Sequence, residues 1–330
     1  MHIFIDESGT FVIPPNKEWS PCLVGALIVP DHKLDKLYSK YARIRLNLPK
    51  EKGEVKGKLL SEDEVAKVVD ILRRNSCIFK AHVIEMALES TTEIKDHQEA
   101  SARGITNNLT DQHHREFVEQ CWWLRGGLEE MTPQLYVQYE IMFGLLADLL
   151  REAPLYWAQR EMKELLRFHW VVDGKGEIEL TKWERWWSTI KTAIIQSKLA
   201  REPIGFLEGL DYTEFDARYR TPMPTYSKES NLPYEKGYNL NLLMDESFRF
   251  SSGNDYGLEL VDVLTNATRR ALKGNLGRNG WGNIPKLMIH RGESYLRFKS
   301  FGKSQRVEAV PYKRLVTDDF ATGGRPMLTE

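Results

Sequence analysis

Ile3, Phe4 and Ile5 form a short apolar run of strand-forming residues that stops at two adjacent carboxylates, Asp6 and Glu7, followed by Ser8-Gly9. Residues 22–29 (CLVGALIV) are almost continuously apolar, as in a strand buried on both faces. The three prolines in residues 11–21 mark the connection as a loop. Pro30-Asp31 ends the second strand, and Asp31 is the predicted N-cap of a helix carrying Leu34, Leu37, Tyr38, Tyr41, Ile44 and Leu48 on one face. After the charged, glycine-punctuated residues 51–58, Ser61 and Glu64 have the spacing of a capping box and open a helix running to about Arg74. Residues 78–86 are a third predicted strand.

The pattern weakens over residues 89–111, which are polar and carry no clear period. Residues 112–130 and 133–151 read as two helices, the second with Pro133 in its first turn, where a missing N–H costs little. A helix-like segment at 161–167 leads into a strand at 168–172 that again stops at acid, Asp173-Gly174. Thr181 and Glu184 repeat the capping-box spacing and start a long helix to about Arg201. Residues 202–238 read as a surface excursion, 240–250 as containing a strand, and 255–273 as a strong amphipathic helix stopped by Gly274. A hairpin is expected from residues 295–301 and 306–310.

At 330 residues and 42% apolar content, the chain is long enough to bury a large core. Formal net charge is −1, so attraction to nucleic acid or membrane has to come from local patches. No apolar run is long enough to span a bilayer and no secretory signal pattern opens the chain, which leads us to expect no membrane association. Cys22, Cys77 and Cys121 lack disulfide-framework or zinc-knuckle spacing, so a cytoplasmic location is expected.

Three acids stand out against this background. Asp6 and Asp173 end strands, where each also fits an ordinary polar turn. Asp262 lies among Leu258, Leu260, Val261 and Leu264 inside a helix, a costly position unless the carboxylate pairs or binds a cation. Taken together, IFIDESG at residues 3–9, EVKG at 54–57, VVDG at 171–174 and GLELVDVL at 257–264 resemble, in order, motifs of the domain-of-unknown-function 3800 family. That resemblance implies an α/β fold: a ribonuclease H-like mixed sheet flanked by helices over residues 1–275. Helices at about 112–151 and the excursion at about 202–238 would be insertions, and 276–330 a basic C-terminal β-hairpin extension. The chain departs from the family's common Q-L-A-D helix motif at Glu259-Leu260-Val261-Asp262.

Matched to the family motifs, Asp6, Glu54, Asp173 and Asp262 are the expected catalytic carboxylates, and these with Glu7 are the expected metal ligands. Glu7 reaches the site only if its strand bends, because successive strand residues point to opposite faces. The implied cofactor is a pair of Mg²⁺ or Mn²⁺ ions, which hard oxygen ligands favour over zinc. Asp6 would bridge them for hydrolysis of a nucleic-acid phosphodiester. Asp6 lying more than about 10 Å from both Asp173 and Asp262 would exclude such a site.

Residues 269–314 carry twelve Lys and Arg against two acids, interleaved with Trp281, Tyr295, Phe298 and Phe301. This segment, with Arg269, Arg270, Lys273, Arg278, Arg297 and Lys299, is the expected nucleic-acid surface, although a solvated basic face has the same composition. A nucleic-acid-binding or partner-regulated protein without intrinsic activity is the alternative, with a small-molecule phosphatase as a third. Trp122-Trp123 and Trp186-Trp187 are expected to pack with one indole inward and one at the edge, and His113-His114 to be exposed. The glycines at 274–282 follow a helix instead of a strand, which excludes a phosphate-binding loop.

Overall fold

The computed structural model describes residues 1–176, 179–222, 236–244, 246–290, 296–302 and 311–329. Its centre is a mixed sheet of six strands: β1 (His2–Ser8), β2 (Pro21–Val29), β3 (Ile78–Glu85), β4 (His169–Asp173), β5 (Phe248–Ser251) and β6 (Leu296–Lys299). They lie in the order β6-β3-β2-β1-β4-β5. β1, β2 and β3 are antiparallel neighbours, whereas β4 runs parallel to β1, β5 to β4 and β6 to β3. The labelled helices are α1 (Leu34–Arg45), α2 (Glu62–Arg74), α3 (Thr91–Thr106), α4 (Arg115–Glu129), α5 (Pro133–Ala158), α6 (Lys182–Arg201), α7 (Tyr256–Leu272) and α8 (Pro311–Thr322).

Strand alternation divides the core into two halves. Ile3, Ile5, Val24, Ile84, Trp170 and Val172 point to a layer formed by α3 to α6. Phe4, Leu23, Leu27, Phe79 and Val171 point to the opposite layer, formed by α1, α2 and α7. All nine residues of β2 are buried, which accounts for its unbroken apolar sequence. α7 lies directly on β1: a Cβ at Gly257 would come within 2.2 Å of the Phe4 ring, so only glycine allows this approach.

Both capping boxes form, at Ser61 and at Thr181, and Asp255 caps α7 by accepting the Gly257 N–H at 2.8 Å. Among the described residues, no helix is long and apolar enough to cross a membrane. All three cysteines are free and buried.

Several expectations change. Asp31 does not cap α1; it begins a 3-10 turn, and its carboxylate meets His2 Nε2 at 2.7 Å. The unpatterned stretch at 89–111 contains α3, whose buried stripe is Ile94, Gln98 and Ala102, too polar and too small to give an apolar period. α5 continues past 151 to Ala158, and 161–167 holds a 3-10 turn at Met162–Leu166. Leu240–Met244 is a short helix and the strand follows it as β5, since a five-residue, mostly apolar run fits either period. The 202–238 excursion contains a helix, Thr213–Tyr219, and a ladder between Arg220–Pro222 and Lys236–Tyr238; residues 223–235 lie outside the described residues.

The described part of the C-terminal segment joins the central sheet. Its first predicted strand is β6, an edge strand of the central sheet, while residues 303–310, which include the second, lie outside the described residues. The tryptophan pairs do not divide as expected either: Trp186 and Trp187 are both buried, and Trp122 and Trp123 are both about half exposed. His113 and His114 are exposed.

Candidate functional site

The parallel pairing of β1 with β4 runs from His2 opposite His169 to Ile5 opposite Val172. One residue further on, Asp6 and Asp173 stand at the carboxyl ends of neighbouring strands, so the abrupt change from apolar to acidic in both sequences marks one place in the fold. Oxygens of Asp6, Glu7 and Asp173 all lie within 4.8 Å of one another. Glu7 therefore joins the group although it follows Asp6 directly, its own N–H donating to Asp6 Oδ1 at 2.7 Å. Its carboxylate accepts a hydrogen bond from Gln138 on α5, across the sheet from α7.

Asp262 approaches from α7 and shares a hydrogen bond with Asp6. Its two oxygens also accept the Gly57 N–H at 2.6 Å and Asn266 Nδ2 at 2.8 Å. Asn266 Oδ1 in turn accepts from Ser8 Oγ at 3.3 Å. One turn earlier on α7, the buried Glu259 accepts the Val55 N–H at 3.1 Å and is held by Arg45 and Tyr41. Two carboxylates on one helix face thus grip alternate N–H groups of the 54–57 turn. Gly57 is required there, because a Cβ would stand 2.8 Å from the Asp262 carbonyl oxygen and from Val263 Cα. The EVKG motif is explained by this grip more than by its own acid.

Glu54 lies outside the converging carboxylates. Its side chain pairs with Lys56 Nζ at 2.6 Å. Burial opposes the charge on Lys56, but Glu54, Asp262 and Asp173 outweigh it and hold the amine above its usual range. Glu54, expected as a ligand, is paired with Lys56 and borders the site through that amine.

The electrostatics are one-sided. Burial, followed by the like charges of Glu7, Asp173 and Asp262, pushes the Asp6 carboxyl well above its usual range, against the pull of Lys175. Burial also raises Glu7, opposed by Lys175. Asp262 is raised by burial as well, with the Gly57 N–H, Lys56 and the hydrogen bond from Asp6 working the other way.

Sequence reasoning missed Lys175. Its Nζ lies 2.5 Å from Glu7 Oε1 and 3.1 Å from Asp173 Oδ2. Its backbone N–H is fixed by Glu184 Oε1 at 2.7 Å, the same carboxylate that closes the α6 capping box. Burial would lower this amine, but Glu7 and Asp173 outweigh it and raise it. The signal available in the sequence was its place two residues after Asp173; Gln138 had none.

Four of the six expected nucleic-acid residues already have partners within the fold. Arg269 Nε donates to the Pro21 carbonyl, Arg270 to those of Gly57 and Leu60, and Arg278 pairs with Asp319. Arg297 pairs with Asp148 on α5, and burial lowers Lys299 on the same strand. Arg269 and Arg270 belong to the α7 side of the sheet and Arg297 to the α5 side. Arg269, Arg270, Arg278 and Arg297 thus serve internal carbonyls and acids.

No protein-family model, curated protein or solved structure matches this chain.

Proposed function

We propose that the carboxylates at the ends of β1 and β4 bind divalent metal ions and that the protein is a ribonuclease H-like nuclease, hydrolysing nucleic-acid phosphodiesters. The observation that carries this reading is the convergence of Asp6, Glu7 and Asp173 within 4.8 Å, with Asp262 hydrogen-bonded to Asp6, in a site where Asp6 is only 6% exposed. Acids from two strand ends and a late helix are also the layout implied by the resemblance to the domain-of-unknown-function 3800 family.

The donor set fits Mg²⁺ or Mn²⁺: it is all oxygen, partly buried and richer in negative than in positive charge. Asp6, Glu7, Asp173 and Asp262 would hold the ions. Such ions supply Lewis acidity, activating a water and stabilising the leaving oxygen. The rest belongs to the chain. Asn266 and the Gly57 N–H keep Asp262 oriented, and Gln138 orients Glu7. Lys56, held by Glu54, places a cation beside Asp262 and Asp173, where a phosphate oxygen is attracted.

The test is cleavage of labelled single- and double-stranded DNA and RNA, with Mg²⁺ or Mn²⁺, by the wild type and by Asp6→Asn. Metal-dependent cleavage by the wild type alone is expected. Cleavage by both proteins would remove the site from the chemistry.

One observation favours a second reading. The Lys175 ammonium already spans Glu7 and Asp173, as a bound cation would, consistent with a nucleic-acid-binding or partner-regulated protein without intrinsic activity. Inactivity of the wild type and of Lys175→Met on all four substrates, with retained nucleic-acid binding, would select it.

A further inference from the structure

At the opposite end of β1 and β4 from the carboxylates, a second set of ligating side chains converges. His2 and His169 are directly paired across the two parallel strands, and their imidazoles stack with centroids 4.5 Å apart and planes 18° from parallel. Asp31, just after β2, brings Oδ1 to 2.7 Å from His2 Nε2. One ligand atom from each of the three lies within 4.8 Å of the other two. With a rise of about 3.3 Å per residue, this cluster is roughly 13 Å along β1 from Asp6.

We propose that His2, Asp31 and His169 form a binding site for a transition-metal ion of the zinc class, separate from the oxygen-rich site. Two imidazoles and one carboxylate are borderline donors that suit Zn²⁺, Co²⁺ or Ni²⁺ better than Mg²⁺. Three protein ligands leave a coordination position open to water or to an incoming group. The frame is largely set in advance. Strand pairing fixes the two histidines, and the Asp31 N–H donates to buried Glu164 Oε2 at 2.7 Å, holding the carboxylate's backbone in place. Glu164 also engages His32 Nδ1 at 2.7 Å, which leaves His32 outside the triad. His2 and Asp31 need to separate only slightly from hydrogen-bond contact to accommodate an ion between them.

The experiment uses the full chain without a polyhistidine tag, titrated with Co²⁺ and Zn²⁺ while visible absorption and heat are recorded. One equivalent of Co²⁺ binding with d–d bands, displaced by Zn²⁺ and not by excess Mg²⁺, is expected. His169→Ala and Asp31→Ala should each weaken binding by at least about tenfold, a loss that even outer-shell changes reach. Asp31 is largely exposed, so its variant tests the site even if His169→Ala folds poorly. Asp6→Asn should bind as the wild type does. Absence of the bands, or binding that survives Asp31→Ala and disappears in Asp6→Asn, would overturn the assignment.

Discussion

Asp6 and Asp148 are both almost fully buried carboxylates beside the same sheet, and their surroundings are opposite. Asp148, on α5, meets Arg297 Nη1 at 2.6 Å, His82 Nε2 at 2.7 Å and the Arg151 guanidinium, with the Lys80–Glu152 pair nearby. Burial opposes its charge, but His82, Lys80 and Arg297 outweigh it and hold the carboxyl far below its usual range. Asp6 faces three other carboxylates, and its nearest cation is shared with two of them. A buried acid that is matched by cations completes the fold, whereas one surrounded by acids stores repulsion that an incoming cation relieves.

The sharpest way to break this contrast is to remove each acid and compare unfolding in denaturant with a chelator present. Asp148→Ala takes a buried carboxylate away from Arg297, Arg151 and His82 and is expected to cost about 3–5 kcal/mol. Asp6→Asn relieves repulsion and is expected to leave the metal-free protein as stable as the wild type or more so. Equal losses would erase the distinction.

Acid should act mainly through the balanced region. Burial drives His82 down to about 4 despite the nearby Asp148. The unfolded chain therefore binds a proton in the window between the ordinary histidine value of 6.5 and about 4, and the folded chain does not. Stability falls as pH drops through that window, by about 2–4 kcal/mol, and continues to fall below it as Asp148 is protonated. Replacing His82 with Gln should flatten the upper part of the melting-temperature profile.

Divalent cations should act only on the unbalanced region. At a Mg²⁺ or Mn²⁺ concentration one hundred times the dissociation constant, stability rises by about 2.7 kcal/mol, and calorimetry should show this gain lost in Asp6→Asn and kept in Lys299→Met. The smallest expected effect is that of Lys175→Met. Its half-exposed ion pair contributes about 1 kcal/mol or less to stability, while titration calorimetry should show tighter Mn²⁺ binding once the competing ammonium is gone.

Much of the site could be read from local pattern. Asp6 and Asp173 were visible because strands that are buried up to their last residue rarely end in acid, and Asp262 because it interrupts an apolar helix face. The capping boxes at Ser61 and Thr181 were visible for the same reason, since their partners are three residues away. Features set by distant partners were not. Nothing near Leu296 announces that it will pair with Ala81, and a count of arginines cannot tell Arg297, which is committed to Asp148, from a cation left for phosphate. Glu54 illustrates the limit of motif matching: the turn that carries it is essential to the geometry, and its own carboxylate is turned to Lys56.

The position of β1 has a further consequence for how the protein acquires its site during synthesis. β1 is made first, but its parallel neighbour β4 lies about half the chain away and α7, with Asp262, later still. Closing such long loops is slow, and the helix that completes the carboxylate group cannot dock until most of the chain has emerged. A nascent or truncated chain ending before α7 would thus carry the opening acids without the helix that gathers Asp262 to them, so assembly of the cluster is timed by synthesis of α7.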